Sequence, residues 1–135
     1  MNKELIYKVL GENDKNILLS HVSHLSDICN EIMSFYRNDC MDQLSYVSFV
    51  PGRLRGISSI LISVYDRYKQ KVDGIKDKEI SSAELKSYAN NLDSFIILVK
   101  SIEKNMELFL FDNKESKGLV NDAEKIIEFI REVDL

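Results

Sequence analysis

An all-α fold, a helical bundle of about four main helices plus short N-terminal and connecting helices, is what this sequence predicts. Three observations carry the prediction. Apolar residues recur at alternating spacings of three and four along most of the chain, the period of a helix with one buried face. A single proline occurs in 135 residues, so little interrupts that period. Only Tyr46 to Val50 alternates like a strand, and no second segment reads as its partner.

Each element has its own signals. A short leading helix runs from Asn2 to about Leu10, with Leu5, Ile6, Val9 and Leu10 inward and Gly11 ending it. Asn13 or Asp14 is expected to cap the first long helix, whose stripe is Leu18, Val22, Leu25, Cys29, Ile32 and Tyr36. That spacing keeps one seam facing a neighbour over several turns. Arg37 to Asp39 closes it. Cys40 to Val50 reads as a short helix followed by an extended approach to Pro51, because proline pushes the preceding residue out of the helical region.

The second long helix is expected from about Pro51 to Val72, with Leu54, Ile57, Leu61, Val64, Tyr68 and Val72 inward and Asp73-Gly74 at its end. The third starts on the clearest local signal in the chain. Ser81 and Glu84 have capping-box spacing, and Ile80 with Leu85 forms a hydrophobic staple. Its stripe is Leu85, Tyr88, Leu92, Phe95, Val99, Ile102, Met106 and Phe109. Phe95 to Val99 and Leu108 to Phe111 are apolar around most of the helix, which predicts burial in the bundle or in self-association. After Asp112 to Gly118 a last helix presents Leu119, Ala123, Ile126, Ile130 and Val133.

One domain, residues 1–135, accommodates these elements, and a chain of this length buries enough surface to need no metal or disulfide staple. The net charge is −4, which argues against broad binding to nucleic acid or anionic lipid. The longest apolar runs fall far short of the ~20 residues of a membrane span. The opening residues lack the pattern of a secretory signal, and of the two cysteines Cys29 sits on an apolar face, so the expected compartment is the reducing cytoplasm.

Two constellations invite chemistry. The stretch VPGRLRG places Pro51, Gly52, Arg53, Arg55 and Gly56 at a helix start. Free N–H groups and two cations there suit a phosphate, a carboxylate or an acidic side chain. The phosphate-loop and dinucleotide motifs are both absent, so a plain helix start with paired arginines is the expectation. His21 and His24 have spacing that can share a metal, but His21 falls within the apolar stripe and His24 at its edge. The expected roles are core lining and boundary, with no metal and no cofactor. Cys40 lies between Asp39 and Asp42, which disfavour a thiolate, and no catalytic signature is found. The reading is non-enzymatic.

The most informative feature is missing charge. Asn16 to Tyr36 contains no lysine or arginine and only Asp27 and Glu31 as acids. Its polar face is Ser20, Ser23, Ser26, Asn30 and Ser34, and the uncharged Gly56 to Tyr65 offers Ser58, Ser59 and Ser63. Solvated faces normally carry charge, whereas interface cores are depleted in it. The expected function is a protein-binding module of the immunity, inhibitor or chaperone kind. It would engage another protein, or a second copy of itself, through Ser20, Ser23, Ser34, Ser59 and Ser63 with Arg53 and Arg55. The alternative is a phosphate or nucleic-acid binder using Pro51 to Gly56.

Overall fold

A computed structural model describes residues 9–44, 46, 50–74, 82–111 and 116–133. The described residues form four long helices, α1 (Glu12–Arg37), α2 (Val50–Gly74), α3 (Ser82–Phe111) and α4 (Lys117–Val133), with a 3₁₀ turn at Met41–Gln43. It is an all-α bundle, and no strand occurs among the described residues. Packing runs around a square: α1 on α2, α2 on α3, α3 on α4, and α4 back on α1.

Polar contacts across the seams give the helix directions. Asp14 near the start of α1 meets Arg67 late in α2, and Glu31 late in α1 meets Arg53 early in α2. Ser58 early in α2 meets Glu103 late in α3. Ser101 late in α3 meets Asp122 early in α4. Consecutive helices are therefore antiparallel, the up-down-up-down arrangement that short connections favour.

The buried face of each helix matches the predicted stripe closely. Leu25 and Ile32 from α1, Leu61 and Val64 from α2, Phe95, Val99 and Phe109 from α3, and Leu119 and Ile126 from α4 are all buried. Phe95 stacks on Phe129 with ring centroids 5.6 Å apart. Side chains of this size stabilise by about 1.5–3 kcal/mol each when removed from water. Ile28 and Met33 widen the α1 stripe because that helix serves two neighbours, α2 and α4.

Several boundaries differ from the sequence reading, each for a local reason. α1 begins at Glu12 with Gly11 as its N-cap residue and no side-chain cap. Asp14 is already inside the first turn, where its carboxylate accepts from Arg67 rather than from backbone. Gly11 has φ 80 and ψ 162, a conformation essentially restricted to glycine. Val9 and Leu10 before it are helical and buried, while the rest of the predicted leading helix lies outside the described residues.

α1 ends as predicted at Arg37 to Asp39, in a Schellman motif. Asp39 adopts φ 53, its N–H reaches Tyr36 O, and Cys40 N–H reaches Phe35 O. Tyr36, expected inward, is exposed. The antiparallel register puts it beyond the start of α2, so that helix offers it no surface. Val50, expected to be extended, is instead the first residue of α2 and fully buried. Core burial there outweighs the bias imposed by Pro51, which keeps its favoured place in the first turn.

α3 begins at Ser82, one residue after the predicted cap. Ser81, Ile80 and the side chains of Glu84, Leu85 and Tyr88 lie outside the described residues. The apolar girdle of α3 is not wholly buried: Ile97, Leu108 and Phe111 are exposed, since among the described residues α3 packs on α2 and α4 alone. Gly118 is within the first turn of α4 rather than before it. A methyl there would come within 3.2–3.3 Å of the Asn105 side chain. That side chain donates, with Ser101, to the buried carboxylate of Asp122.

Candidate functional site: the cleft between α1 and α2

Two ion pairs pin the antiparallel register of α1 on α2. At one end Arg67 Nε donates to both Asp14 carboxylate oxygens at 3.1 Å, and its Nη2 donates to Oδ1 at 2.8 Å. Lys71 Nζ stands 3.7 Å from Asp14 Oδ2 and donates to Leu10 O at 2.8 Å. The Arg67 hydrogen bonds hold the Asp14 carboxyl below its ordinary value of 3.8, with Lys71 adding to the effect and burial opposing it.

At the other end Arg53 Nη1 is 3.8 Å from Glu31 Oε1, an ion pair too long to be a hydrogen bond. Glu31 Oε2 is buried with no hydrogen-bond partner among the described residues. Between the two pairs the helices leave an open cleft of about 400 Å³ lined by His21, His24, Arg53, Gly56 and Ile57. The two constellations that the sequence presents separately, the histidine pair and the PGRLRG start, thus face one another across a single groove.

The imidazoles differ in setting. His21 is half-buried and its Nδ1 lies 2.8 Å from Ile17 O, one turn back along α1. A carbonyl oxygen only accepts, so Nδ1 carries the proton and Nε2 is the lone-pair nitrogen of the neutral ring. His24 is exposed, its ring 5.9 Å from that of His21 in an edge-on arrangement. Neither is a core residue, contrary to the expectation for His21. Its place at the flank of the stripe opens onto the cleft, which Gly56 also lines.

The remaining candidates divide by face. Ser20, Ser23, Ser34, Ser59 and Ser63 are all exposed. The register set by the ion pairs puts Ser20 of α1 level with Ser63 of α2, and neither lines the cleft. Ser23 and Ser34 lie further out on α1, and Ser59 further out on α2. Ser63 donates to Ser59 O within its own helix. Ser58, grouped with them by composition, is fully buried and donates to Glu103 Oε2 at 2.6 Å. Arg55 is exposed but does not line the cleft; two residues on from Arg53, it points to the far side of α2.

Ile60 adds a partly exposed apolar side chain to the outer surface of α2, where composition draws attention only to the serines. Its helical position beside Gly56 and Ser63 is the signal that finds it.

The chemistry available elsewhere is limited. Cys29 is buried and its thiol is pushed up to about 12, by burial first and by the nearby Asp122 second. It stays protonated and packs as a small apolar side chain. Cys40 is half-buried and donates to Phe35 O. Among the described residues no three histidine, cysteine or acidic side chains gather as metal ligands. No helix among them is long and apolar enough to cross a membrane. Comparison with protein-family models, with curated proteins and with solved structures finds no match to this chain.

Proposed function

We propose that this protein is a cytoplasmic, non-enzymatic binding module that docks another protein across the α1–α2 groove. The observation that carries the reading is an open cleft in which His21 and His24 face Arg53, Gly56 and Ile57, with the uncharged Ser20, Ile60 and Ser63 exposed on the same two helices. A methyl added at Gly56 would meet nothing within 4 Å, so packing within the bundle gives no reason for glycine there. Glycine in a helix interior costs about 1 kcal/mol relative to alanine. A helix or loop of a partner approaching the backbone closely supplies a reason.

The reading of this surface as a phosphate or nucleic-acid site is less well supported. Such a site needs its cations gathered on one face, whereas Arg53 turns into the groove and Arg55 away from it. The charged outer positions of α4, among them Glu124, Lys125 and Glu128, serve as the solvated control.

Photo-crosslinking in the native host tests the proposal. A crosslinking side chain at Ser20 or Ser63 is expected to capture one defined protein, or a second copy of this chain, and one at Lys125 is not. Ser63→Glu should abolish capture at Ser20 by placing an unpaired charge in a desolvated contact. Equal capture at all three positions, or capture that survives Ser63→Glu, would overturn it.

A further inference from the structure

We infer that the α1–α2 cleft is a seat for a carboxylate, an acidic side chain of the docked protein, gripped by Arg53 and admitted by protonation of His21 and His24. This deepens the proposal of a docking groove and rests on it.

Arg53 carries the argument. Among the described residues its guanidinium is paired only through a 3.8 Å approach to Glu31, with no hydrogen bond, and it is 40% exposed beside the cleft. The contrast with Arg67, whose Nε and Nη2 make three hydrogen bonds to Asp14, is one of commitment. A planar fork with free donors accepts a carboxylate in two parallel hydrogen bonds. Turning toward such a ligand breaks no hydrogen bond to Glu31.

The histidines make the site conditional. In the neutral ring of His21 the proton is held on Nδ1 by Ile17 O, which leaves the Nε2 lone pair as that ring's free polar group. A lone pair repels a carboxylate. Protonated, the same nitrogen donates, and His24 beside it adds a second positive charge. Few charged groups among the described residues bear on the pair. Asp27 lies one turn on from His24 along α1, with Glu31 a further turn beyond, and α2 contributes Arg53 and, near Asp14, Arg67. The pocket is too open to exclude water, so its ligand is a group held at the tip of a larger molecule rather than an enclosed small one.

Sodium acetate titrated into isotope-labelled protein, read by amide, arginine Nε–H and imidazole NMR signals, tests the seat with no partner present. Saturable shifts confined to His21, His24, Arg53 and Gly56 are expected at pH 6, at least fivefold weaker at pH 8. Arg53→Gln should remove them, Arg55→Gln should leave them within twofold, and His24→Gln with His21→Gln should flatten the pH dependence. Shifts that never saturate, spread over the surface, or persist in Arg53→Gln would overturn the seat. So would saturation by inorganic phosphate but not acetate, which would make the anion a phosphate. Failure of this titration leaves the crosslinking result standing, and failure of the crosslinking leaves the acetate site standing, so the two proposals fall separately.

Discussion

The two ends of the α1–α2 seam are built from the same parts, an acid on α1 and an arginine on α2, and they behave as opposites. At the Asp14 end the arginine is bidentate, a lysine assists, and Gly11 adopts a conformation that only glycine takes easily. At the Glu31 end the pair is long, one carboxylate oxygen has no partner among the described residues, and Gly56 is an ordinary helical residue. Charge complementarity alone does not make a staple. Geometry and burial do, because a buried carboxylate held by several charge-assisted hydrogen bonds repays its desolvation, whereas an exposed approach at 3.8 Å gains little.

The sharpest way to break the comparison is Gly11→Ala. With φ 80 and ψ 162 at that position, an alanine should cost about 2–3 kcal/mol, measured by urea unfolding. Next comes Arg67→Ala, which leaves Asp14 buried with Lys71 alone and should cost about 2 kcal/mol, partial exposure of the arginine keeping the value from being larger. Equal effects from Arg53→Ala and Arg67→Ala would erase the distinction, since Arg53→Ala is expected within about 0.5 kcal/mol of wild type.

Acid offers a second probe. Asp14 has its folded pKa lowered below the ordinary 3.8, so the unfolded chain binds its proton first as pH falls. The stabilisation is present in full above about pH 5 and is lost as pH drops through 3.8 toward the folded value. The stability difference between wild type and Asp14→Asn should therefore be level from pH 5 to 8 and shrink below pH 4. A difference that persists to pH 2 would show that the carboxylate charge is not what matters there.

The smaller effects lie at the open end and run the other way. Gly56→Ala should stabilise the protein by up to about 1 kcal/mol while weakening capture of a partner, the signature of a residue kept for contact. Neighbouring serines give the finest contrast. Ser58→Ala, which strips the hydrogen bond to Glu103, should cost about 1 kcal/mol, and Ser59→Ala should be silent in thermal unfolding.

Much of this was legible beforehand, and the limits have physical causes. Stripes such as Leu18-Val22-Leu25 and Phe95-Val99-Ile102 place themselves, because helical period and burial depend on local spacing. Tyr36 fits its stripe equally well and is exposed, since inwardness also requires a neighbour at that height. Ser58 and Ser59 look alike in composition, and one turns to α3 while the other turns to solvent.

By itself, the sequence determined the all-α class, the number of long helices, most of the core and the low charge of Asn16 to Tyr36 and of Gly56 to Tyr65. Those properties follow from periodicity and composition, which act over a few residues. Only the tertiary structure decided that Asp14 is a staple rather than a cap, that Arg53 and Arg55 part company, and that two histidines and one arginine share a cleft. Each of those depends on the antiparallel register of two helices, a relation between residues about 30 to 55 positions apart that no local pattern encodes.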